Sequence, residues 1–203
     1  METAVEPVAV GPLRLEVERP RSPEALIDDD AFGPDEFLPY WAELWPSGLA
    51  LARHVAGLDV RGLDVLELGC GLGLPSLAAA AGGARVLATD WAPAAVRLLR
   101  RNAARNGIAL EAALADWREP GALPEGRYGL VLAADVLYEE RNRAPLIACL
   151  ERTLADGGRA LVADPGRRHA PPFLDALRSR GWRLEPPAQT ARPAAHLHVL
   201  RRG

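Results

Sequence analysis

Four carboxylates carry the chemistry open to this chain: Glu67, Asp90, Asp116 and Asp135, each at or near the end of an apolar run. Between the first two lies Leu68-Gly69-Cys70-Gly71-Leu72-Gly73-Leu74, a loop rich in bare backbone. Gly69, Gly71 and Gly73 let a ligand approach the main chain closely. Asp90, in Ala88-Thr89-Asp90-Trp91, can take the two hydroxyls of a ribose. Such an arrangement holds a nucleoside outside the carboxyl ends of the strands of an open parallel sheet.

The spacing narrows the choice of nucleoside. A dinucleotide loop reads Gly-x-Gly-x-x-Gly, and its third glycine admits close packing of helix on strand beneath a pyrophosphate. Here the loop is Gly69-x-Gly71-x-Gly73, and Leu74 stands where that third glycine would be. S-adenosylmethionine (SAM) has no phosphate but carries a sulfonium and an amino-acid tail. Glu67 can bind the ammonium of that tail, directly or through water. Asp116 can accept from the adenine amino group, and Trp117 or Trp91 offers a flat face for stacking. SAM is therefore the expected cofactor. An NAD(P)-linked oxidoreductase and a non-enzymatic binding module are the alternatives. Each acid alone could instead cap the helix that follows it; four at one rim make a site.

Alternating βα units must present these residues. Strands are expected at 63–68, 85–89, 109–115, 128–134 and 159–163, and helices at 75–81, 93–106 and 173–179. Pro75 and Pro93 open two of the helices, and Gly107 closes the second. Leu146, Ile147, Leu150 and Leu154 form the apolar side of a further helix. Asp156-Gly157-Gly158 then turns into the strand at 159–163. Two last strands, at 182–185 and 196–200, are expected antiparallel at the sheet edge. The expected fold is α/β, a Rossmann-like, seven-stranded, mostly parallel sheet with helices on both faces.

The core occupies residues 61–203, and residues 1–60 read as an N-terminal extension contributing to the active-site wall. Within it, 13–18 alternates apolar and charged as an edge strand or hairpin arm does, and 49–55 looks helical. Tyr40, Trp41 and Trp45 fall within six residues, as either a core plug or a pocket wall. The stretch 22–36 holds Asp28, Asp29, Asp30, Asp35 and Glu36, and reads as a solvated loop or as a lid over a cationic substrate.

Composition bounds the partners. At 203 residues and 49% hydrophobic, the chain suits one α/β domain. Its net charge is −3, which speaks against nucleic acid. All 24 basic residues are arginine; Arg100, Arg101, Arg141, Arg143, Arg167 and Arg168 are expected on solvated surface. Cys70 and Cys149 are far apart in sequence, which suggests a reducing compartment rather than a disulfide framework. The acidic start and the glycine-broken run 68–84 indicate neither a secretory signal nor a membrane span. A cytoplasmic protein is expected, with a monomer favoured. No metal site is expected; His196 and His198 share one strand face without a third ligand nearby in sequence.

The chain resembles class I, seven-strand SAM-dependent methyltransferases, within the branch called methyltransferase family sixteen. The resemblance rests on Pro39–Gly48 (PYWAELWPSG), Val65–Leu74 (VLELGCGLGL), Ala88–Trp91 (ATDW), Asp116-Trp117 and Ala134–Tyr138 (ADVLY). That branch includes protein-lysine methyltransferases and bacterial relatives labelled nicotinamide N-methylases. The resemblance implies that Trp45 and Ala134 line the cofactor site, and that Asp135 and Tyr138 border the methyl acceptor. Asp135-Val136-Leu137-Tyr138 lacks the Pro-Pro of the DNA and glutamine N-methyltransferases, so base methylation is disfavoured. The implied acceptor is a protein lysine, with a small amine or nicotinamide-like heterocycle as the alternative.

Methyl transfer is an in-line displacement that needs a free lone pair on the acceptor. A lysine amine, with a pKa of about 10.4, is almost wholly protonated at neutral pH. A bare carboxylate beside it raises that pKa further. Asp135 is therefore expected to capture a cationic substrate and then orient the neutral amine, with Tyr138 completing the cage.

Overall fold

The computed structural model describes residues 2–22, 39–119, 121–185 and 195–203. The acidic stretch read as a loop or lid lies almost wholly outside the described residues. The apolar runs become strands. β1 (Thr3–Val10) and β2 (Leu13–Pro20) form an antiparallel hairpin. β3 (Asp64–Leu68), β4 (Arg85–Asp90), β5 (Glu111–Leu114), β6 (Tyr128–Ala134), β7 (Leu154–Asp164), β8 (Arg183–Glu185) and β9 (His196–Arg201) form one seven-stranded sheet. Its order is β5-β4-β3-β6-β7-β9-β8. The five strands from β5 to β7 are parallel. β9 runs antiparallel to both its neighbours, so β8 points the same way as β7; of the two strands expected antiparallel only β9 is reversed, and it lies inside the edge strand β8.

The chain winds from β3 outward to β5, then returns to place β6 on the other side of β3. That reversal opens a crevice at the carboxyl ends of β3 and β6, where open α/β sheets bind ligands. Both faces of the sheet are buried. Val65, Leu130, Leu132 and Leu161 pack one way, with α1 (Pro46–Val55), α2 (Leu74–Ala81), α3 (Pro93–Arg105) and the hairpin. Leu66, Leu68, Val131 and Val162 pack the other way, with α4 (Arg143–Thr153) and α5 (Ala170–Ser179).

Three boundaries depart from expectation by three residues or more, each for a local reason. α1 starts at Pro46 and α5 at Ala170, because prolines in a first helical turn lack only N–H groups that have no intrahelical partner. Leu154 is not on a helix face. It ends α4 in extended conformation and begins β7, paired with Tyr128. Asp156-Gly157-Gly158 is therefore an irregularity inside β7, where the register shifts between Tyr128 and Leu130. A Cβ on Gly158 would stand 2.9 Å from the Tyr128 carbonyl oxygen, so glycine permits this close approach.

Side-chain amides hold the hairpin to α3. Asn102 accepts the Glu18 N–H at 2.7 Å and donates to the Glu18 carbonyl at 3.1 Å. Asn106, one turn on, repeats the pattern with Glu16 at 2.9 Å in both directions. Two amides thus serve β2 as a neighbouring strand would. No helix among the described residues is long and apolar enough to cross a membrane.

Candidate active site

The crevice is a cavity of about 890 Å³, counting space open to solvent. Every residue expected at the site lines it: Trp45, Glu67, Gly69, Gly71, Gly73, Asp90, Trp91, Asp116, Trp117, Ala134, Asp135 and Tyr138. Tyr40 and Trp41 do so too, which resolves the aromatic segment as a pocket wall.

The glycine loop follows β3 with Gly69, Gly71 and Gly73 all at positive φ. Two of them are also tightly packed. A Cβ on Gly71 would lie 3.1 Å from the Trp41 carbonyl oxygen, and one on Gly73 only 2.2 Å from Leu99 Cδ1. Gly73 caps α2 and lets α3 pack beneath the loop.

The acids differ in how they are satisfied. Glu67 is buried, and its Oε2 accepts the Ser76 N–H at 2.9 Å and the Ser76 hydroxyl. Burial pushes its carboxyl up to about 8, against the pull of those hydrogen bonds. Asp90 is also buried and also pushed upward. Its Oδ2 takes the Gly71 N–H and its Oδ1 the Ala92 N–H, each at 2.9 Å, which ties the glycine loop to β4. Neither acid has an ion-pair partner among the described residues.

Asp116, past β5, is engaged by Arg118, whose Nη2 lies at 2.5 Å and Nε at 2.9 Å. Burial pushes its carboxyl up, but the Arg118 bonds outweigh that and hold it below the usual carboxylate range. Asp116 enters the site as half of an ion pair. Of the two candidate stacking rings, Trp117 is buried and Trp91 is 37% exposed.

Asp135 closes β6 at φ +60, the one non-glycine residue with positive φ among the described residues. That backbone turns its side chain into the rim, where it is 8% exposed. Oδ2 accepts the Ser47 hydroxyl at 3.1 Å. Oδ1 accepts Arg167 Nε and Nη2, both at 2.5 Å. The same guanidinium lies 5.8 Å from the centre of the Trp45 ring. Trp45 is held by its Nε1–H, donated to the Tyr40 carbonyl at 2.7 Å. Tyr40 in turn packs on Tyr138, ring centres 5.3 Å apart. Burial raises the Tyr138 phenol, partly offset by a hydrogen bond to Asn142.

Arg167 corrects an expectation. It is not a solvated surface residue: its side chain is 31% exposed and bound to Asp135. The cause is local. Asp164 Oδ1 accepts the N–H groups of Gly166 and Arg167, both at 2.7 Å, in a turn that carries Arg167 across the rim. Asp135 accordingly holds a cation of its own chain, where it was expected to await one from a substrate. Among the described residues, no cluster of His, Cys, Asp and Glu could hold a metal ion.

The residues present fit SAM. Left-handed glycines leave backbone bare, the uncompensated buried acids Glu67 and Asp90 stand beside them, and aromatic rings flank both. Comparison with known proteins agrees. A family model described as lysine methyltransferase matches residues 41–179. The electron transfer flavoprotein beta subunit lysine methyltransferase of Xenopus laevis is 38% identical over 138 residues, covering 64% of this chain and 53% of that protein. Protein N-lysine methyltransferase METTL21A of Danio rerio is 32% identical over 149 residues, covering 68% and 67%. The crystal structure of magnesium protoporphyrin IX methyltransferase from Synechocystis PCC 6803 with bound SAM shares the fold. Its TM-score is 0.61 at 23% identity, covering 76% of this chain and 78% of that one. The chain spans about half the length of the electron transfer flavoprotein methyltransferases it matches.

Proposed function

This chain belongs to the lysine methyltransferase family, and we propose that it is a SAM-dependent N-methyltransferase acting on the side-chain amine of a protein lysine. One observation carries the reading: Asp135 and Tyr138 meet the glycine loop, Glu67 and Asp90 in a single cavity. Two of the relatives that match in sequence are named as lysine methyltransferases of proteins.

When bound, SAM supplies an activated methyl group and departs as a neutral thioether. Glu67 holds the ammonium of its tail, Asp90 its ribose, and Trp91 or Trp117 its base. Trp45 and Ala134 line the same compartment. Tyr40, Trp45 and Tyr138 exclude water from the reacting corner and shape a channel for an alkyl chain. Asp135 and Tyr138 orient the neutral amine through its N–H groups and aim the lone pair.

The division into an extension, residues 1–60, and a core, residues 61–203, belongs to this proposal. It is supported by Trp45 and Ser47, which the extension brings to the core's crevice. A cytoplasmic setting goes with it, in keeping with two buried cysteines present as free thiols.

The test is incubation of the protein and radiolabelled SAM with lysate from a strain lacking this chain, then separation of protein from small molecules. Label recovered as methyl-lysine after hydrolysis of the protein fraction is the expected result. Label confined to small molecules, or none at all, overturns the reading. The enzyme contains no lysine, so methyl-lysine in the hydrolysate cannot come from the enzyme itself. Asp135→Ala is expected to keep SAM binding and lose turnover.

A further inference from the structure

An alkylammonium ion is bound well by a carboxylate and an aromatic face set close together. The corner of Asp135 and Trp45 is such a seat, and in this structure it is filled. Arg167 places Nε and Nη2 at 2.5 Å from Asp135 Oδ1 and its central carbon 5.8 Å from the Trp45 ring centre. The other carboxylate oxygen is taken by Ser47 at 3.1 Å. The guanidinium is not a stray surface group. Its main chain is pinned by Asp164 at 2.7 Å, and its side chain is two-thirds covered.

We propose that Arg167 is the resident cation of the acceptor site and determines which protonation state of the acceptor is admitted. With Arg167 seated, the amine enters beside a neutral ion pair. With Arg167 absent, it would meet a bare carboxylate that binds the ammonium form, whose nitrogen has no lone pair to accept a methyl group. Arg167 thus acts through Asp135 as a positioning and specificity residue. It lowers affinity for the protonated acceptor and keeps Asp135 from raising the acceptor's pKa. This rests on reading the corner as the acceptor site.

The probe is n-butylamine, which carries the lysine side chain's alkyl-ammonium end and is almost wholly protonated at neutral pH. Its binding to wild type, Arg167→Gln and Arg167→Lys is measured by tryptophan fluorescence at neutral pH, with S-adenosylhomocysteine present. Arg167→Gln is expected to bind it at least about ten times more tightly than wild type, because one full charge of repulsion and competition is removed. Arg167→Lys, which keeps the cation, is expected to stay within about threefold of wild type. A loss of loop structure alone would not produce tighter binding. Equal affinities in wild type and Arg167→Gln overturn the proposal.

Adding Asp135→Asn to Arg167→Gln gives a second check. The double change leaves the corner without net charge, as the ion pair does in wild type, so n-butylamine affinity is expected to return to within about threefold of wild type. Retention of the tight binding of Arg167→Gln alone would mean that the gain does not act through Asp135, and would also overturn the proposal. The assay involves no turnover. Its failure leaves lysine methylation standing, and an absence of methyl-lysine in the labelling experiment would fail that reading alone.

Discussion

Glu67→Gln tests the electrostatics of the cofactor end of the cavity. Glutamine keeps the shape and one oxygen for the Ser76 N–H, and removes the charge. In the folded protein the Glu67 carboxyl titrates at about 8, against about 4.5 when unperturbed, chiefly because burial disfavours its charged form. Between those values the folded chain holds a proton that the unfolded chain has released. Stability therefore falls as pH rises through that window and levels off above it. At about 1.4 kcal/mol per pH unit, the whole window is worth on the order of 5 kcal/mol. The Gln variant lacks this loss, so its advantage over wild type grows with pH. Asp90 is raised by burial too, but it remains in both proteins and drops out of the difference to first order.

Urea denaturation of ligand-free protein at several pH values across the window measures the effect. A stability difference that does not change with pH refutes the reasoning. Calorimetry of SAM binding in two buffers of different ionisation enthalpy adds an independent arm. If an ammonium group settles beside Glu67, wild type releases close to one proton near neutral pH. Glu67→Gln is expected to release far fewer.

Other consequences are equally direct. Gly73→Ala puts a methyl 2.2 Å from Leu99 Cδ1 at φ +77, whereas Gly107→Ala has φ +64 and nothing within 4 Å. Both carry a left-handed strain of about 1 kcal/mol, so urea denaturation is expected to show Gly73→Ala worse by a further 1–3 kcal/mol or so. Asn102→Ala strands the buried N–H and carbonyl of Glu18 and is expected to cost about 2 kcal/mol; Asn106→Ala, on exposed partners, is expected to cost less in the same assay. Asp90→Ala removes both the proposed ribose acceptor and the tie to the Gly71 N–H. Calorimetry is expected to show SAM affinity reduced at least about a hundredfold, two lost charged hydrogen bonds being worth about 3 kcal/mol.

Much of this was legible in the sequence because it is local. Three glycines and an acid within a few residues of one strand mark a loop of fixed shape, and apolar runs without alternation mark central strands. The parts that escaped are contacts between distant segments. Ser47 meets Asp135 across 88 residues, Asn102 meets Glu18 across 84, and Arg167 meets Asp135 across 32. A serine, an asparagine or an arginine looks the same in sequence whether water or a buried carboxylate receives it. Asp164-Pro165-Gly166 was the one available signal for Arg167, since a turn closed by an Asp side chain fixes where the next residue goes. The start of β7 was hidden for another reason. Leu154 continues the apolar spacing of α4, and periodicity does not register the change of backbone at that residue.

Capping and ligand binding are compatible roles for one carboxylate. An ionised carboxylate has about four acceptor sites. Glu67 gives one oxygen to Ser76, and Asp90 ties down Gly71 and Ala92, so both are held in place by bonds that leave acceptor capacity over. What separates the acids is compensation. At the glycine loop Glu67 and Asp90 are buried with no cation beside them. At the two ends of the cavity Asp116 is neutralised by Arg118 and Asp135 by Arg167. SAM is cationic at its amino-acid and sulfonium end and neutral at its base, and an acceptor nitrogen must be neutral to react. Glu67 lies where the ammonium would arrive and Asp90 where ribose hydroxyls would donate, and the compensated acids lie where neutral groups would. A nicotinamide dinucleotide would bring a pyrophosphate's negative charge to the glycine loop beside Glu67, so the uncompensated acid there favours the methyl donor on physical grounds that the glycine spacing alone does not supply.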